Sequence, residues 1–163
     1  MRRLWAQLSA LGVGRIILTN AERVERNYFD TNVLAPERYR PLLIEGLQQA
    51  RDTRLPLVTI HRQFKVLVED ELDDLEKMSG TGIRLVAHPS AATPVGEAVR
   101  ASREARVLLA IGPEGGWNDF ELRLLGAHGF QPVGMGLRTL RTDTASVALL
   151  ALAHDALAAR RSA

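Results

Sequence analysis

The chain has 163 residues, of which 46% are hydrophobic and 25% charged, with no cysteine and a formal net charge of +2. That length suits one domain with a sizeable core, and the composition is ordinary for a globular protein. Disulfides and thiolate metal sites are excluded, no apolar run approaches the roughly 18 residues of a membrane span, and no secretory leader is legible, so the cytoplasm is the expected location. The cations are almost all arginine, since Lys65 and Lys77 are the only lysines. Arginine suits bidentate contacts to phosphate, although a biased composition explains the excess equally well.

In chain order, residues 2–11 read as a short helix ended near Gly12, and 15–18 as a first strand. Residues 20–34 are polar and irregular. Pro36 lies near the start of a helix that runs to about Arg51, in keeping with proline's tolerance in a first turn. Residues 57–60 are a second strand, 69–78 a charged helix closed by Ser79-Gly80, and 84–87 a strand that stops at His88-Pro89. A loop over 90–95 and a short helix over 96–103 follow. Residues 107–111 form a strand, 118–127 a helix closed by His128-Gly129, 131–135 the last strand, and 144–159 a last helix that is apolar on most faces. Strands alternating with helices predict an α/β fold with a mostly parallel sheet flanked by helices.

The most informative stretch is Ile-Gly-Pro-Glu-Gly-Gly at 111–116. A buried strand feeds it, and Asn118 with Glu121 three residues on forms a capping-box signature for the helix that follows. Ligands in open α/β sheets bind beyond the carboxyl ends of strands, and glycines let backbone approach them closely. The stretch lacks the Gly-Lys-Ser/Thr of a P-loop and the spacing of GxGxxG. Glu114 would repel a phosphate, so a neutral or cationic ligand fits better. A tight strand-to-helix turn with no ligand fits the same residues.

A second segment, Gly-Leu-Arg-Thr-Leu-Arg-Thr-Asp-Thr-Ala-Ser at 136–146, is led in by Gly-Phe-Gln-Pro-Val-Gly-Met-Gly at 129–136. The two segments together resemble the carboxyl-terminal half of the RsmE family, the small-subunit ribosomal RNA (uracil-N3)-methyltransferases of the SPOUT superfamily. The family pattern is IGPEGG, a helix, then GF-x-P-V-x-LG-x-R-ILRTETA, and both parts occur here in the same order and spacing. Leu11-Gly12-Val13, Gln49 and Arg54-Leu55-Pro56 extend the similarity upstream, so it covers nearly the whole chain.

The resemblance implies a SPOUT methyltransferase domain over 1–163, with a deep trefoil knot in which residues after about 130 thread under an earlier loop. It also implies a homodimer, S-adenosylmethionine as cofactor, and ribosomal RNA or the small ribosomal subunit as partner. The family's small amino-terminal β-barrel has no counterpart in these residues, which fits either the catalytic domain alone, the favoured reading, or a short variant. The cofactor would lie between Ala87 at the end of a strand, the loop with Ile111, Gly112 and Gly116, and the bend with Met135, Gly136 and Leu140. Plain core packing explains Met135 and Leu140 equally well.

Methylation at uridine N3 requires loss of the imide proton, and a cation near the uracil oxygens would stabilise the resulting anion. Arg141, within the family motif, is the candidate; a surface arginine or an ion pair fits it too. Asp143 stands where the family usually has glutamate, and is open to three roles: capping the last helix, orienting Arg141 or assisting proton removal. Arg23, Arg26, Arg51, Arg54 and Arg138 are candidate RNA contacts, with Tyr28 and Phe29 available for stacking. His61, His88, His128 and His154 lack metal-ligand spacing and read as structural or surface residues, and no metal is expected. Gln7, Ala10 and the segment Gln48-Gln49-Ala50-Arg51 depart from the family on its RNA side. A methyltransferase of the same fold acting on another RNA, a knotted RNA-binding module without catalysis and another kind of nucleotide-binding α/β domain stay open as alternatives.

Overall fold

The structure, a computed structural model, describes residues 2–24, 29, 34–136 and 138–161. It falls into two compact units, residues 1–20 with 24–62 and residues 21–23 with 63–163.

The first unit contains α1 (Arg2–Ala10), β1 (Arg15–Thr19), α2 (Pro36–Ala50) and β2 (Leu57–His61). β1 and β2 pair in parallel, with Ile17 opposite Thr59. The two helices cross closely because Gly46 has no side chain: a Cβ there would stand 2.1 Å from the Ala6 carbonyl oxygen. Trp5 is fully buried and stacks on Tyr39 at 4.8 Å, and the buried Ser9 hydroxyl donates to the Leu43 carbonyl.

The second unit opens with a helical stretch of three parts, α3 (Phe64–Val66), a π-helical turn over Leu67–Glu71, and α4 (Leu72–Ser79). β3 (Ile83–Ala87), α5 (Val95–Ala101), β4 (Val107–Ala110), α6 (Asp119–Ala127), β5 (Gln131–Val133) and α7 (Thr142–Arg161) follow. The sheet is parallel throughout in the order β4-β3-β5, with β3 central and its Leu85 and Val86 buried. β5 is an edge strand, where Pro132 can forgo a ladder donor. Leu149, Ala153 and Ala156 of α7 pack with Val95, Ala98 and Val99 of α5 against Leu85 and Val133 in one core.

The parallel α/β architecture is as expected, with two differences. The strands among the described residues form two sheets, one per unit, rather than one. The charged helix expected over 69–78 starts at Phe64 instead, since Phe64, Leu67, Val68 and Leu72 are all buried and their spacing carries the helix five residues upstream.

Candidate functional site

In the second unit a cavity of about 360 Å³ opens beyond the carboxyl ends of β3 and β4. Three segments supply most of its wall: the end of β3 with His88-Pro89-Ser90, the glycine loop after β4, and the bend between β5 and α7. Ala87, Ile111, Gly112, Gly116, Met135, Gly136 and Leu140 all line it, so the structure brings these seven residues to one place.

The glycine loop owes its shape to local bonds. The Gly116 amide donates to the Pro113 carbonyl at 2.8 Å, and Gly116 has φ 70°, a left-handed value that favours glycine. α6 then starts on the expected capping box. The Asn118 side chain accepts the Glu121 amide at 2.8 Å, and a Glu121 carboxylate oxygen accepts the Asn118 amide at 2.8 Å. Glu121 is only 2% exposed, and its other oxygen takes the Glu22 amide.

The bend is tied to the loop across the cavity. The Thr142 hydroxyl donates to the Gly112 carbonyl at 3.0 Å. α7 begins at Thr142, two residues earlier than the sequence suggests, so Asp143 lies inside its first turn. The Asp143 carboxylate accepts the Thr144 amide at 2.8 Å, and that bond, with a smaller contribution from the Arg141 charge, holds its pKa below the ordinary value. Arg141 is 78% exposed and stands 3.8 Å from Glu114, itself on the cavity wall.

The candidate RNA residues divide. Arg23 and Arg138 line the cavity, and Arg23 donates to the Gly115 carbonyl at 2.8 Å and the Trp117 carbonyl at 3.4 Å. Arg51 and Arg54 are exposed in the first unit, Arg51 closing α2 with φ 55°. Arg26 and Tyr28 lie outside the described residues. Among the described residues no group of three or more His, Asp or Glu is arranged to hold a metal ion, and no helix is long and apolar enough to cross a membrane.

Among the wall residues that sequence reasoning did not assign to the site are His88, Trp117 and Thr142. His88 ends a strand, which is itself a signal for a ligand position. Its Nδ1 accepts the Ser90 amide at 3.2 Å. Trp117 follows the paired glycines, packs on Phe64 with ring centres 5.6 Å apart, and has a buried Nε1 with no hydrogen-bond partner in the protein.

A cavity at the carboxyl ends of parallel strands, edged by a glycine loop with a glutamate and by arginines, marks a ligand-binding α/β domain. The family model for the RNA methyltransferase domain matches residues 1–154, across both units, and the chain belongs to that family. It is 35% identical over 152 residues to ribosomal RNA small subunit methyltransferase E of Treponema pallidum, covering 93% of this chain and 56% of that protein. The protein of the same name from Synechocystis is 36% identical over 118 residues, covering 71% of this chain and 37% of the relative. The chain thus spans about half or less of the lengths of these relatives. Among solved structures, ribosomal RNA small subunit methyltransferase E from Neisseria gonorrhoeae bound to S-adenosyl methionine superposes with a TM-score of 0.73 at 26% identity, covering 93% of this chain and 58% of that one. Lpg2936 from Legionella pneumophila, in complex with the cofactor SAM, gives 0.78 at 25% identity, covering 96% and 61%.

Proposed function

We propose that this chain is the catalytic domain of an enzyme that methylates a uridine N3 in small-subunit ribosomal RNA, with S-adenosylmethionine as the methyl donor. The observation that carries the reading is the convergence of two motifs, separated by a helix and a strand, on one cavity. The wall chemistry fits the cofactor. The cavity is within the usual ligand range of roughly 300–1,000 Å³. Glu114 complements a cationic ligand, the glycines admit close backbone approach, and the orphaned Trp117 Nε1 is a donor without a protein acceptor. The Neisseria relative's bound cofactor supports the same assignment.

When bound, S-adenosylmethionine supplies an electrophilic methyl group. Ala87, Ile111, Met135 and Leu140 would wall it, and Gly112, Gly116 and Gly136 would lie against it. Arg141 stabilises the negative charge that spreads onto the uracil oxygens once the N3 proton is lost. Its ion pair with Glu114 is exposed and weak enough to exchange for the uracil. Asp143, its oxygen committed to Thr144, holds the turn that carries Arg141. Arg138 is available at the cavity wall for a phosphate or base, and Arg51 and Arg54 for RNA backbone.

The reading extends to a SPOUT-type trefoil knot, a homodimer and action in the cytoplasm. The bond from Thr142 to Gly112 and the pairing of Gly134 with Pro94 support a bend laced through earlier loops. Calorimetry with S-adenosylmethionine, S-adenosylhomocysteine and ATP tests the cofactor; the first two should bind and ATP should not. Mass spectrometry of ribosomal RNA from a deletion strain should show loss of N3-methyluridine. Tight binding of ATP alone, or an unchanged modification profile, would refute the reading.

A further inference from the structure

Residues 21–23 are some ninety positions upstream of the glycine loop, yet three hydrogen bonds tie them to the loop, to Trp117 just after it and to the first turn of α6. Ala21 is buried. The Glu22 amide donates to the buried Glu121 carboxylate at 2.8 Å. Arg23 spans the Gly115 and Trp117 carbonyls with one guanidinium nitrogen.

The two carbonyls that Arg23 holds belong to peptide planes that are also held from the other side. In a trans peptide the C=O and the N–H point in opposite directions. The amide opposite the Gly115 carbonyl is that of Gly116, which donates to Pro113. The amide opposite the Trp117 carbonyl is that of Asn118, which donates to Glu121. Arg23 therefore completes a two-sided clamp on both planes, and between them lie Gly116 and Trp117 of the cavity wall.

The same side chain accounts for the first glycine of the pair. Gly115 is not among the positive-φ glycines, so its backbone would accept an L residue. A Cβ on it, however, would stand 2.9 Å from the Arg23 Cβ and 3.3 Å from its Cδ. The arginine stem, running across the loop, excludes a side chain there.

We propose that Arg23 is a positioning residue for the cofactor loop, holding it in its ligand-ready shape, rather than a contact to RNA. The proposal rests on the cofactor reading above. Its test is calorimetric titration of S-adenosylmethionine into wild type, R23A, R23K, R23G, G115A and the R23G/G115A double variant, with circular dichroism to check folding and filter binding of ribosomal RNA at several salt concentrations. R23A should weaken cofactor affinity on the order of tenfold, the scale of losing one charge-assisted bond, and R23K should recover part of it. G115A should be similarly impaired alone but should add little in the R23G background, where neither the Cβ nor the stem at position 23 remains to obstruct the new methyl. RNA affinity of R23A should keep its wild-type salt slope. Wild-type cofactor affinity in R23A, or a shallower salt slope for its RNA binding, would overturn the proposal in favour of a phosphate contact. Additive effects of the two substitutions would also overturn it. A wild-type protein that bound no S-adenosylmethionine would overturn the cofactor reading, and this proposal with it.

Discussion

Gly112 has two neighbours to satisfy. A Cβ at this position would come within 3.1 Å of the Trp117 Nε1 and 3.2 Å of its Cε2, before any ligand is considered. Gly112→Val should therefore displace the indole as well as fill the ligand's approach, and abolish S-adenosylmethionine binding by calorimetry while circular dichroism stays near wild type. Unchanged affinity would refute the pocket's placement. Arg141 is the opposite case, a side chain held by little. An exposed pair at 3.8 Å contributes little to stability, so its worth lies in the charge it offers to a substrate anion. Arg141→Ala should leave cofactor affinity within a few-fold and lower single-turnover methylation on the order of 10²–10³, the usual loss for one such donor. Normal turnover would remove it from the mechanism. Both residues were legible as site candidates because they sit inside sequence motifs. Trp117 was not, because its role depends on packing against Phe64 and Gly112, which no spacing records.

At the scale of elements, helix starts were read well where the signal was a side-chain bond across three residues. The capping box at Asn118 and Glu121 forms as its spacing suggested. Asn118→Ala should cost about 1 kcal/mol in urea denaturation, the usual value of an amino-terminal cap. A loss near zero would show that the Glu121 contacts carry the turn alone. Reading failed where charge was allowed to outweigh period. The acidic run over 69–76 suggested a solvated helix, yet the buried positions Phe64, Leu67, Val68 and Leu72 had already set its start upstream. In α7 the first turn reaches back to Thr142, whose hydroxyl bonds to Gly112, thirty residues away. That contact anchors the helix start, and local propensity contains no trace of it.

For the whole molecule, α7 sets the question of assembly. Ser146, Leu149, Ala153 and Ala156 turn into the second unit, while Leu152 remains 44% exposed and Val147, Ala148 and Leu150 only half-buried. Apolar positions thus continue beyond the face the unit covers, and a second copy of the chain would cover the remainder. Each Å² of apolar surface so buried is worth roughly 25 cal/mol. Light scattering at micromolar concentration should give twice the 18.0 kDa chain mass. Leu152→Glu should shift the mass toward the monomer and reduce methylation, whereas a wild-type monomer with full activity would defeat the idea of a shared site.

Residue order alone specifies the alternation of strands and helices, the glycine loop, its capped helix and the family, because each rests on spacings of at most a few residues or on motifs that match the family pattern in type and order. It did not determine that the strands among the described residues divide into two sheets, since pairing partners are chosen by packing across the chain rather than by any strand's own residues. Nor did it reveal that Arg23, legible only as one of many arginines, lies across Gly115 with its charge on two loop carbonyls. Only the tertiary structure brings residue 23 to residue 115, and a hydrogen bond acts over about 3 Å of space, whatever length of chain separates its ends.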